Sequence, residues 1–159
     1  MDQYRQCNNC GGTCCPSRKD EEALLHDLVK TVQMGVTSID VVEEKITSDR
    51  FKQWAVSQKD AYRHFSDRVD DYMRAGGMSE EFVTKMETMW QKGMVKMSAM
   101  VMNSDSDVAA QLIKGTEMGI DALTKVLNDP KGISDELLSL TNEINDFMLD
   151  SLNTLREWL

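Results

Sequence analysis

Long apolar runs, basic excess, proline, histidine and aromatic residues are all scarce in this chain, and each scarcity closes off a class of protein. No apolar run approaches the roughly 18 residues of a membrane-spanning helix, which argues against membrane partners. The first 20 residues hold no apolar signal-peptide segment, so the expected location is cytoplasmic. Lysine and arginine number 18 against 27 aspartates and glutamates, a net charge of −9. A nucleic acid or an anionic lipid surface needs a basic footprint that such a composition does not supply. Only two prolines occur, Pro16 and Pro130, and both fall where helices should be interrupted. Aromatics make up 6% while methionines number 12, so the expected core is adaptable rather than locked by rings.

What remains suits one helical domain. A chain of 159 residues with 41% apolar and 28% charged residues can bury a core without disulfide staples. Apolar positions recur at helical spacing through Leu24, Leu25, Leu28, Val29, Val32, Val36, Ile39, Val42 and Ile46, after an S-x-x-D start at Ser17–Asp20. Gly35 interrupts that helix at a cost of about 1 kcal/mol relative to alanine, which implies close helix packing there. Thr47 and Ser48 offer the next cap, and a second helix is expected from Asp49 to Arg74, with Phe51, Trp54, Ala55, Gln58, Ala61, Tyr62, Phe65, Val69 and Tyr72 or Met73 inward. Gly76-Gly77 would close it in the left-handed conformation.

A third helix should begin at the Ser79 cap, with Met78 stapled onto Val83, and run to about Asn103. Its stretch from Met86 to Met102 is the most apolar and Met-rich part of the chain, and other helices should gather around it. Met86, Met89, Gly93, Met97 and Met100 share a face, widened by Trp90, Met94 and Val101. Ser104–Asp107 is another capping box and opens a fourth helix, unless helices three and four form one bent element or one helix lies across an end. Asn128–Gly132 reads as a turn. Ser134 then caps a fifth helix carried by Leu137, Leu138, Ile144, Phe147, Met148, Leu152, Leu155 and Leu159.

The strongest chemical signal precedes the helices. Residues 1–16 lack periodicity and hold all four cysteines, Cys7, Cys10, Cys14 and Cys15, in C-N-N-C-G-G-T-C-C. C-x-x-C can place two thiolates on one metal, and Gly11-Gly12 let the chain reverse so that Cys14 or Cys15 completes the set. Zinc and an iron–sulfur cluster are the two cofactors this chemistry suits. Adjacent cysteines fit one tetrahedral ion poorly, which keeps a redox or intersubunit disulfide, or a plain tail, as alternatives. The methionine stripe could hold Cu(I), although such stripes more often serve as core or as a helix-binding face. Glu117 and Asp121 with Glu43, Glu44 or Asp40 could form a carboxylate cluster, against the commoner reading of solvated helix faces. The Asp67, Asp70 and Asp71 run reads the same way. His26 and His64 read as surface or partly buried residues.

Three stretches, LVKTVQMGVTSIDVVEEKI (Leu28–Ile46), WQKGMVKMSAMV (Trp90–Val101) and IKGTEMGIDALTKVLND (Ile113–Asp129), resemble the ferritin-like superfamily. The similarity is to an uncharacterised bacterial subgroup in which two helix hairpins pack as a bundle. Ferritin-like iron sites take a Glu from each of two helices and Glu-x-x-His from the other two. Here no E-x-x-H occurs, Gly35 is followed by Val36-Thr37 rather than acids, and helix five reads Asn145-Asp146-Phe147 where a histidine would stand. The resemblance therefore implies the bundle and removes the di-iron site.

These features predict an all-α, ferritin-like up-down bundle of four to five helices over residues 17–159, with a Cys-rich segment over 1–16. The expected role is a non-enzymatic structural or interaction module whose partner is a second copy or another protein. Its N-terminal segment would bind metal or act in redox chemistry. Two rivals are a protein that stores or senses zinc, iron–sulfur or copper, and an oxidase with a divergent iron site.

Overall fold

The computed structural model describes residues 16–76, 78–92 and 101–159, with residues 90–92 described by their backbone alone. All four cysteines, Gly77 and residues 93–100 lie outside that set. Five α-helices make up the described fold: α1 Arg18–Val42, α2 Asp49–Ala75, α3 Glu80–Lys92, α4 Asp105–Asn128 and α5 Asp135–Leu155. Single 3₁₀ turns follow α1 (Glu43–Lys45) and α5 (Arg156–Trp158). No strand occurs among the described residues.

Each helix starts on a serine, as the sequence predicts. The hydroxyls of Ser17, Ser48, Ser79, Ser104 and Ser134 accept from the backbone N–H three residues on, at 3.1 to 3.5 Å. Such caps satisfy donors that the first helical turn cannot pair, each contributing about 1 kcal/mol. At Ser104 the Asp107 side chain also reaches back past the cap, its Oδ2 accepting from the Asn103 N–H at 3.0 Å.

Contacts at the helix ends fix the arrangement. At one end the Ser17 N–H donates to the Gly132 carbonyl at 2.7 Å, and the Tyr72 hydroxyl donates to Glu21. The start of α1, the end of α2, the end of α4 and the start of α5 therefore meet there. At the other end Asp105 accepts from the backbone of Thr47 and Ser48, and Arg50 pairs with Glu157. So α1–α2 and α4–α5 are two antiparallel hairpins, and α1 lies antiparallel against α4. A long crossover joins them, and its helix α3 rides on α1, where Gln33 Nε2 donates to the Met89 carbonyl at 3.2 Å. The core runs the length of the bundle, with Leu24, Leu25, Leu28, Val32 and Val42 of α1 packed among Phe51, Val69, Leu123, Leu137, Ile144 and Leu155.

Several expectations need correcting. Helix three does not reach Asn103, because Val101–Asn103 is irregular and the Ser104 box begins a new helix. Helices three and four are thus separate elements, and α3 packs along α1 rather than over an end. Met86 is buried as expected, whereas Val101 is 82% exposed instead of widening the stripe. Gly93, Met94, Met97 and Met100 of the methionine stretch lie outside the described residues; among those described, α1 touches α2, α3 and α4. Gly76 closes α2 with φ −74, so it is not left-handed, and Gly77 lies outside the described residues. Among the described residues the left-handed glycine is Gly132 at φ +75, in the turn that receives the start of α1. Leu159 is 65% exposed, and Trp158 turns inward in its place.

Candidate functional site

A cleft of about 130 Å³ opens between α1 and α4 and is lined as well by residues of α2 and α5. Its origin is local. A Cβ built on Gly119 would lie 3.1 Å from both Thr31 Cγ2 and Met148 Sδ, so α1, α4 and α5 touch at that level. Around Gly115, one turn earlier on α4, a Cβ would meet nothing within 4 Å. The helices thus close at Gly119 and part at Gly115. Met34 and Met118 stand at the lips, 39% and 60% exposed, while Tyr62, Gln58, Met148 and Ser151 line the inside.

Tyr62 is held from three sides. A Cβ on Gly35 would meet three atoms of the Tyr62 ring at 2.6 Å, so the ring occupies the space that the missing side chain leaves. Phe147 meets it edge-on at 5.0 Å and 87°. Burial pushes the phenol up to about 12, partly offset by a hydrogen bond with the Thr116 hydroxyl. Thr116 itself donates to the Leu112 carbonyl at 2.8 Å. Ser151 Oγ lies against Gln58 Oε1 and 2.8 Å from the Phe147 carbonyl. The Gln58 amide nitrogen has no partner among the described residues. Apart from Asp27 and Lys30, the polar side chains lining the cleft are uncharged amide, hydroxyl, phenol and indole groups.

A second polar centre closes the end of the bundle. Glu21 is fully buried, and its Oε1 accepts from the Tyr72 hydroxyl and the Ser134 N–H, both at 2.9 Å. The Tyr72 and Ser134 hydroxyls are 2.7 Å apart. This carboxylate ties α1, α2 and α5 together at the point where α5 begins. Sequence reading took no note of Glu21. The signal was its place on the face of Leu24, Leu25 and Leu28, where a charge in an apolar stripe marks a buried, satisfied group.

Of the residues singled out from sequence, Cys7, Cys10, Cys14 and Cys15 lie outside the described residues. The proposed carboxylate cluster does not assemble. Glu117 and Asp121 are exposed on α4, and Asp40 and Glu43 instead clamp Lys59, Asp40 at 3.0 Å. The Glu43 hydrogen bond, and then Asp40, hold the Lys59 ammonium above its usual range against some burial. His26 sits 3.5 Å from Asp27, and His64 is exposed beside Phe65. Among the described residues no three His, Cys, Asp or Glu side chains come together in a metal-binding group. Asp70 is half-buried, and that burial raises its carboxyl, with Arg74 opposing. Asn145 of α5 is buried, with its Oδ1 unpaired among the described residues.

Comparison of the chain with protein-family models, with curated proteins and with solved structures finds no match.

Proposed function

We propose that this chain is a non-enzymatic, ferritin-like helical bundle that works as an interaction module, with a metal-binding or redox segment at its N-terminus. The reading of the bundle draws support from its connectivity, two antiparallel hairpins joined by a long crossover. The observation that carries the non-enzymatic part is the donor set of the interior. Between the hairpins stand a phenol, an amide and four hydroxyls, with Asp27 and Lys30 the only charged groups, where a di-metal site uses several inward carboxylates and histidines. A phenol with its pKa at about 12 stays protonated at neutral pH and acts as a hydrogen-bonding group, not as an anionic ligand. The residues present do not fit a di-iron centre. A second copy of the chain or another protein would be the partner.

Anaerobic Fe(II) titration tests the bundle, using the full chain with Cys7, Cys10, Cys14 and Cys15 changed to serine. No saturable site is expected. Two irons per chain, lost on Glu117→Ala, would overturn the reading and favour the divergent oxidase. The N-terminal segment is tested on the unaltered chain purified without oxygen. About one zinc or one iron–sulfur cluster per chain is expected, released in Cys7→Ser and Cys10→Ser, because thiolates favour these metals. Four freely titrating thiols without metal would leave the segment a tail.

A further inference from the structure

The cleft between α1 and α4 has the size and lining of a small-molecule site. Its volume of about 130 Å³ is close to the roughly 150 Å³ that admits a single benzene ring into a protein interior. Its walls offer two aromatic rings, Trp54 and Tyr62, and three thioethers, Met34, Met118 and Met148. Sulfur packs favourably at ring edges, and methionine adapts its shape to a guest. The Thr116 hydroxyl donates to the Leu112 carbonyl, and the single Ser151 O–H is shared between Gln58 Oε1 and the Phe147 carbonyl. The Gln58 amide N–H groups are left over, half-buried in the cleft, as donors with no acceptor among the described residues. Charges occur only toward one end, where Asp27 and Lys30 have opposite signs and attract neither anion nor cation on balance.

We infer that this cleft binds a small, neutral, single-ring aromatic molecule carrying one hydrogen-bond acceptor, which Gln58 Nε2 receives. The ring lies among the thioethers, and the lips at Met34 and Met118 give it entry. The site does not depend on the iron or cysteine readings above.

Acetophenone and ethylbenzene are suitable probes, since they share a skeleton and differ in the carbonyl acceptor. Each is titrated into the full-length protein labelled with ¹³C at the methionine methyls. Saturable shifts are expected at Met34, Met118 and Met148, with acetophenone binding about tenfold more tightly than ethylbenzene. Gln58→Leu should remove that tenfold preference and leave ethylbenzene binding in place. Gly115→Leu fills open space, so it should fold and weaken both probes more than tenfold. Unmoved or linearly drifting methyl shifts in the parent protein would overturn the inference without reference to any variant. So would Gly115→Leu binding both probes as the parent does, with its cooperative melt intact.

Discussion

Gly35 is where α1 gives up a side chain so that Tyr62 can pack against its backbone. The glycine costs about 1 kcal/mol of helix propensity against alanine. In exchange the ring sits where a Cβ would be 2.6 Å from three of its atoms. Tyr62 cannot retreat easily, because it is buried and Phe147 packs against it edge-to-face at 5.0 Å. Overpacking of this kind typically costs 1–3 kcal/mol, which outweighs the propensity gained. Gly35→Ala should therefore destabilise the protein by about 1–2 kcal/mol in urea unfolding. A variant more stable than the parent would mean that the ring has room to move. Glu21 makes the complementary point at the same scale. It is a carboxyl group accepted into the core because two donors from other helices meet it, and removing either would take a hydrogen bond from a fully buried group.

Between elements, the bundle is tied at its ends by side chains that cap a neighbour's helix. Asp105 opens α4, yet its carboxylate accepts from the backbone N–H of Thr47 at 2.7 Å and of Ser48 at 2.8 Å, just before α2. The Thr47 N–H is the main cause holding the Asp105 carboxyl below its usual range. A depressed folded-state pKa gives stability that is fully present above the unfolded value near 3.8 and is lost as pH falls through the folded one. Asp105→Asn should cost about 1 kcal/mol at pH 7, the usual worth of a cap. The gap between variant and parent should close below about pH 4, as the parent's carboxyl protonates. A gap that stayed constant from pH 7 to pH 3 would show that the charge plays no part. Beside this link, Trp158 stacks on Phe51 at 4.4 Å and 11°, so the turn after α5 is pinned to the start of α2.

At the scale of the whole molecule, local rules in the sequence foretold the elements well and their assembly poorly. Serine caps and apolar spacing placed the starts of all five helices, because those signals act within one or two turns. Trp158, Glu21 and Asp105 escaped notice since each acts on a residue at least 50 positions away, and no local pattern records such a partner. The cleft was equally hidden. Gly115 and Gly119 look alike in sequence, and only the approach of α1 makes one a contact and the other an opening. The domain boundary, in contrast, rests on a local fact: every apolar face at helical spacing begins beyond residue 17. Among the described residues the core starts at Leu24, and the first tie of α1 to the rest is the Ser17 N–H on Gly132. A chain beginning at Ser17 retains each of these contacts, so it should keep the helical circular dichroism of the full protein and melt cooperatively. Its stability should fall within about 1 kcal/mol of the parent's, as expected when no described core contact is removed. Loss of the cooperative transition would instead assign residues 1–16 a part in holding the bundle, and would move the boundary to the first residue.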